Sequence, residues 1–223
     1  MIAIPTTERD NAQSPFGPIL ADQADLMSRS FHDQYMSDAE APYEVWVVGR
    51  MERIWHRPRW LWPVLWLLAR GDILFPETGE QVPTALRISP GRDASGAPIQ
   101  TWERTFRFPR GRRRRFRSTM TYDREAARIA EREGPWNAIE ELVDVHFRPP
   151  ATIEFASHRS ALVIRGRRLP LPRRLWVTAH VVQRETDPMT GTSHIALTVT
   201  HGMLGPIFGY EGEFRTVRRP RTV

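Results

Sequence analysis

The stretch Ile99–Phe108 of this 223-residue chain is where residue type and spacing first point to chemistry. Alternate side chains of an extended strand share a face. Trp102, Arg104, Phe106 and Phe108 therefore fall together, and Glu103, Thr105 and Arg107 fall opposite. The aromatic set belongs inside. That puts a guanidinium among rings, where an unpaired cation is costly. Arg104 should then meet a carboxylate, a carbonyl or the anionic group of a ligand. The plainer alternative is a wet strand end, or a structural stack of Arg104 on Trp102. Trp176 and Tyr210, on later apolar stretches, would extend such a pocket, which is mostly apolar with a few convergent polar groups. His180 alternates with Trp176, Thr178 and Val182, and His146 shares parity with Leu142 and Asp144. His180 and Tyr210 are the candidate proton donors or acceptors, although a lone strand histidine is more often structural.

Arg110–Arg117 carries six arginines around Gly111 and Phe116. Arg112, Arg113, Arg114, Arg115 and Arg117 are the candidate contacts for a polyanion, either nucleic acid or anionic lipid. The competing reading is a solvated hairpin end, since Pro109 and Gly111 mark a turn. All 32 basic residues are arginine and the net charge is +6. Such a balance suggests an acidic partner, but a complete lack of lysine points first to a compositional bias.

Other chemistries are excluded by type. Cysteine is 0, so there is no thiolate nucleophile or disulfide. Without lysine there is no Schiff base and no P-loop lysine. The seven histidines show no metal-ligand spacing. No nucleophile elbow and no Gly-x-Gly-x-x-Gly occurs, so no metal and no cofactor is expected.

The elements that must position these residues come next. Phe16–Tyr35 has the three-to-four spacing of an amphipathic helix, with Ile19, Leu20, Ala24, Met27 and Phe31 on one side. Tyr43–Trp55 reads as a strand, and Trp60–Arg70 as an apolar helix stopped by Gly71. The run Trp60–Ala69 is too short to span a bilayer, which takes about 20 residues. It reads as a core helix capping the fold, with contact to a membrane surface as the alternative. From residue 82 the chain reads as a meander: Val82–Ser89, Ile99–Phe108, Arg113–Tyr122, Ala138–Phe147, Thr152–Ser157, Ala161–Arg165, Leu175–Glu185, His194–Thr200 and Gly209–Val217, with Glu125–Glu133 as a short charged helix. Two helices cannot cover so many strands. An α+β fold follows, built on a strongly curved antiparallel sheet or half-open barrel with the N-terminal helices packed on it.

Several short motifs occur in order: Phe16-Gly17-Pro18, Val48-Gly49-Arg50, Phe75-Pro76-Glu77-Thr78-Gly79, Trp102-Glu103-Arg104-Thr105-Phe106, Phe116-Arg117-Ser118 and Glu133-Gly134-Pro135. Arg165–Pro172 and Tyr210-Glu211-Gly212-Glu213-Phe214 follow. Together they resemble a bacterial family, domain of unknown function 4166, over about residues 14–217. The resemblance implies no established reaction. Members also occur fused behind a saccharopine-dehydrogenase-like oxidoreductase domain, which implies work beside a redox enzyme on a small lipophilic molecule. Any hydride chemistry would then need a separate NAD(P)-dependent oxidoreductase as partner. The long arginine run departs from the family pattern.

The expected organisation is a loose arm at 1–14, one barrel-like domain at 15–217 and a basic tail at 218–223. Met1–Ser14 is polar and has no apolar leader region, so cytoplasmic residence is expected. The expected function is to bind an apolar or amphipathic small molecule, possible catalysis being left open. A polyanion-binding module is the alternative.

Overall fold

The computed structural model describes residues 13–134, 137–164 and 167–221. Its strands are β1 Tyr43–His56, β2 Gly79–Arg92, β3 Pro98–Arg107, β4 Arg113–Asp123, β5 Arg128–Glu133 and β6 Ile139–Arg148. They continue as β7 Thr152–Ile164, β8 Arg167–Pro170, β9 Val177–Asp187, β10 Thr192–His201 and β11 Gly205–Pro220. All pairings are antiparallel, in the order β6-β5-β4-β3-β2-β1-β11-β10-β9-β7-β8, and β6 also pairs with β7. Ten strands thus close on themselves, and β8 hangs from the end of β7. Closure removes the open edges that a sheet of this size would expose.

The core lies inside the barrel, and the period of two is kept around it. On β10, Leu197 and Val199 are buried while the intervening Ala196 and Thr198 are not. On β3, Gln100, Trp102, Arg104 and Phe106 are buried, as the alternation of that strand requires. Arg104 is more buried than Glu103 or Arg107.

Three sequence-based expectations need correction. The barrel is closed, not half-open, and the fold is mostly β; its helices are short and stand at the barrel ends. Ten inner faces pack on one another, so no helical cover is needed. Phe16–Tyr35 is not one helix: α1 (Gly17–Leu20) runs into a 3₁₀ stretch, Ala21–Leu26. Met27 is extended, and the Ser28 side chain then caps α2 (Arg29–Tyr35) by accepting from Phe31 N at 3.3 Å. Glu125–Glu133 is not a helix either. Its second half is β5, reached through a turn in which Asp123 Oδ1 accepts from Ala126 N (2.9 Å) and Ala127 takes a positive φ of 52°. The charges that suggested a solvated helix face alternate instead. Arg128 and Arg132 point outward to Asp144 and Glu140, and Glu131 and Glu133 point inward.

The two barrel ends differ. At one end residues 13–37 form a plug. Phe16 and Tyr35 stack edge-on at 5.5 Å and both contact Trp102 and Phe155. Polar groups tie the plug down: the Tyr35 hydroxyl donates to Gln183, Gln34 Nε2 to Thr216 Oγ1 (2.7 Å), and Ser28 Oγ to Glu185 (2.7 Å). Ser14, at the end of the stretch read as an arm, is buried and donates to the Tyr35 carbonyl; residues 1–12 lie outside the described residues. The 218–223 stretch, read as a tail, is described to residue 221. Arg218 is bidentate on Asp33, and Arg221 donates to the carbonyls of Ala39 (3.0 Å) and Pro90 (3.2 Å).

At the other end lies a lid of loops. The β1–β2 connection holds α3 (Trp62–Leu68), flanked by 3₁₀ turns at Arg59–Leu61 and Ala69–Gly71. This helix is not the core helix the sequence suggests. Only Leu61 and Leu65 are buried, whereas Trp60, Trp62 and Trp66 are 63%, 50% and 40% exposed. With so short a helix standing at a barrel end, one row of side chains suffices to seat it. Arg117 N donates to Asp72 O (3.0 Å), and Gly202 N to Trp176 O (3.2 Å), so the lid loops are linked to β4 and to one another.

The seam between the first and last strands is closely packed at its glycines. Gly49 faces Phe214 in the register, and a Cβ there would sit 2.1 Å from Glu213 O and 2.5 Å from Phe214 Cα. Backbone cannot yield as a flexible side chain does. Gly49→Ala is expected to cost about 3 kcal/mol in urea denaturation, and wild-type stability of that variant would show that the seam can widen.

Candidate functional site

Inside the barrel two voids meet, one of about 210 Å³ toward the lid and one of about 60 Å³ toward the plug. Arg104, Phe106, Glu131, Val181 and Tyr210 line both. The lid-side void is otherwise walled by apolar residues such as Phe75, Phe116, Leu197 and Phe208, with Leu68, Leu171 and Leu175 at its outer end. Leu175 is 56% exposed and also lines the void, so this is where the interior approaches solvent.

The polar belt at its waist is unusual for so apolar an enclosure. Arg104 is buried, with its guanidinium carbon 4.7 Å from the Phe116 ring centre and 5.3 Å from that of Trp102. Among the described residues its Nη1 has no hydrogen-bond partner, and buried Ser118, paired in register with Trp102, lies beside Glu131. Facing the arginine are Glu131 and Glu133 of β5 and Glu141 of β6. Glu131 and Glu141 are opposite one another in the β5–β6 register, a placement that disfavours two like charges. Ser160 Oγ lies 3.0 Å from Glu141 Oε1 and 2.9 Å from Val177 O.

Burial disfavours the ionised form of these acids, and one arginine cannot neutralise three. Burial raises Glu131, with Arg104 opposing. Burial, then the charges of Glu131 and Glu141, hold Glu133 well above the usual carboxylate range. Burial pushes Glu141 up to about 7, against the hydrogen bonds from Ser157 and Ser160. Burial also raises the Tyr210 phenol, opposed by Arg104 beside it. At neutral pH the belt therefore holds carboxylic acid O–H donors next to a guanidinium. A carboxyl titrating near neutrality can give or take a proton. The three acids do not form a metal-holding group.

Of the residues singled out in the sequence, Trp102, Arg104, Phe106 and Tyr210 line the voids. Trp176 and His180 do not. The inner face of β9 is Val177, Ala179 and Val181, so its parity is the reverse of that expected; His180 is exposed, and Trp176 donates from Nε1 to Leu171 O (2.6 Å). His146 is likewise exposed. Both faces of β9 alternate small and apolar residues, so composition alone could not orient it. Sequence reasoning missed Glu131, Glu133 and Glu141. The available signal was the alternation Arg128-Ile129-Ala130-Glu131-Arg132-Glu133, which fits a strand as well as a helix. In the arginine run, Arg112, Arg113, Arg115 and Arg117 are exposed. Arg114 is half-buried and bidentate on Glu77 (2.7 and 2.5 Å), and Arg115 is 3.5 Å from Asp72. These pairs pin the β3–β4 turn to the lid.

The family model described as "Domain of unknown function (DUF4166)" matches residues 29–214. The chain belongs to this family. The DUF4166 match runs from α2 to Phe214, so it takes in β1 to β10, most of β11 and every residue of the polar belt. A relative, "Uncharacterized protein YndH" of Bacillus subtilis (strain 168), is 28% identical over 146 residues, covering 65% of this chain and 70% of that one.

Two predictions follow from the belt. Glu141 keeps its proton in the folded state and loses it on unfolding. Its contribution is thus fully present below about pH 4.5 and is lost as pH rises through about 7, a change of about 3 kcal/mol. Urea midpoints of Glu141→Gln should decline less with pH across this window than those of the wild type. Arg104→Met leaves the acids without their cation and should cost about 3–5 kcal/mol at pH 8. The loss should be smaller at pH 5, where the carboxyls are protonated, and a pH-independent loss would place the arginine's role in packing alone.

Proposed function

We propose that the barrel binds a small, mostly apolar molecule whose polar end is a neutral carbonyl or hydroxyl group. The observation that carries this reading is the Nη1 of buried Arg104, which has no partner among the described residues, in a belt that faces an apolar void of about 210 Å³. Buried polar atoms are nearly always satisfied, and a ligand oxygen would satisfy this one. A void of about 150 Å³ takes benzene, so the space here suits a substituted ring or a short branched chain. The three acids argue against a carboxylate ligand, which would bring a further negative charge to the belt. They favour an oxygen that accepts from Arg104 and from a protonated carboxyl together. Trp102 and Phe106 would pack on the molecule, and Tyr210 would donate or accept at its polar end.

Acetophenone, a neutral single ring with a carbonyl, tests this. Saturable, one-to-one binding in titration calorimetry is expected with the wild-type protein. Val181→Trp, which projects into both voids, should weaken it at least about tenfold while leaving the far-UV circular dichroism in place. Equal binding by that variant would place the probe elsewhere and remove the support for an interior site.

A further inference from the structure

We infer that the lid end of the barrel docks on the surface of an anionic lipid bilayer. Trp60, Trp62, Val64, Trp66 and Leu67 are all exposed on the α3 segment, and the Trp62 and Trp66 rings stack at 6.4 Å with 17° between their planes. Exposed Leu175 and, on the β10–β11 turn, exposed Met203 and Leu204 belong to the same end, because Gly202 N is bonded to Trp176 O and Arg57 N to Ile207 O. Among the described residues the plug end has nothing comparable: Met189, on the β9–β10 turn, and Leu26 stand singly. An apolar patch gathered at one end of a molecule marks an interaction site, and tryptophan is the residue type that favours the membrane–water boundary.

The charges decide what kind of surface fits. Exposed Arg57, Arg59, Arg110, Arg112, Arg113 and Arg174 lie in or beside the lid loops, with no ion pair among the described residues. The acids of these loops, Asp72 and Glu77, are already engaged by Arg115 and Arg114. The patch is therefore cationic as well as apolar, the combination that binds anionic headgroups. A symmetric dimer through this face would set arginines against arginines, which disfavours a second copy as the occupant. The inference concerns the outer surface and does not depend on what the cavity holds, although Leu175 connects the two.

The test uses the full chain with vesicles of phosphatidylcholine, with and without phosphatidylglycerol. Co-sedimentation with the anionic vesicles is expected, weakening as salt is added, together with quenching of tryptophan emission by brominated phosphatidylcholine in the same vesicles. The double variant Trp62→Ser/Trp66→Ser should lose at least about tenfold in binding and most of the quenching. Its thermal unfolding should be unchanged, since both rings are largely outside the core. Arg110→Ser and Arg112→Ser should each weaken binding about fivefold. Absence of binding to either vesicle, equal binding by the tryptophan variant, or a wild-type dimer whose dissociation follows those two substitutions would each overturn the inference. Acetophenone binding by the same tryptophan variant separates the readings: retained binding with lost vesicle binding leaves the interior site standing.

Discussion

Closing ten strands gives the protein one inner face, and every side chain on it must be satisfied by what that interior supplies. The consequence is sharpest at Arg104. Its cation is held by aromatic faces and by the nearby carboxyls of Glu131 and Glu133, two strands away on β5. Burial, in turn, shifts all three acids toward their protonated form. Each makes the other tolerable: the arginine lowers the acids it faces, and the surplus acids remain neutral because a single cation cannot offset them all. Replacing such a set with apolar residues would often stabilise a fold. A set that costs stability but presents donors to a void is better understood as a binding surface than as a structural pair.

The same closure explains which parts of the molecule were legible in its sequence. Arg104 was placed inward from β3 alone, because Trp102 and Phe106 leave no doubt about which side of that strand is apolar. The DUF4166 resemblance was equally legible, since it rests on ordered local motifs. The acids were not. Their meeting depends on the β5–β6 register and on the inward turn of a segment whose local composition is that of a charged helix. Tertiary pairing overrode propensity there. For His180 and Trp176 the difficulty was parity: a one-residue shift exchanges the two faces of a strand, and β9 carries too little contrast between them. The exposed tryptophans of α3 show the converse. Apolar composition predicts burial only when a neighbouring surface exists to receive it, and a barrel end has little.

The two ends of the barrel divide stability from access. The plug is fixed by polar bonds of Tyr35, Gln34 and Ser28 with the wall, by the Arg218–Asp33 pair, and by rings packed on Trp102. Opening it would break several buried contacts at once. The lid is seated by Leu61, Leu65 and Phe75 and by the Arg114–Glu77 and Arg115–Asp72 pairs, which are partly exposed, and much of the rest of α3 faces outward. Local opening follows the least costly route, so exchange between the void and the outside would favour the lid. The void is wider on that side, and Leu175 already stands between interior and solvent. A molecule apolar enough to prefer this interior also prefers lipid to water. If the interior does hold such a molecule, exposed tryptophans and arginines around the lid end would shorten the path it travels through water, and would link the outer surface to the chemistry of the belt within.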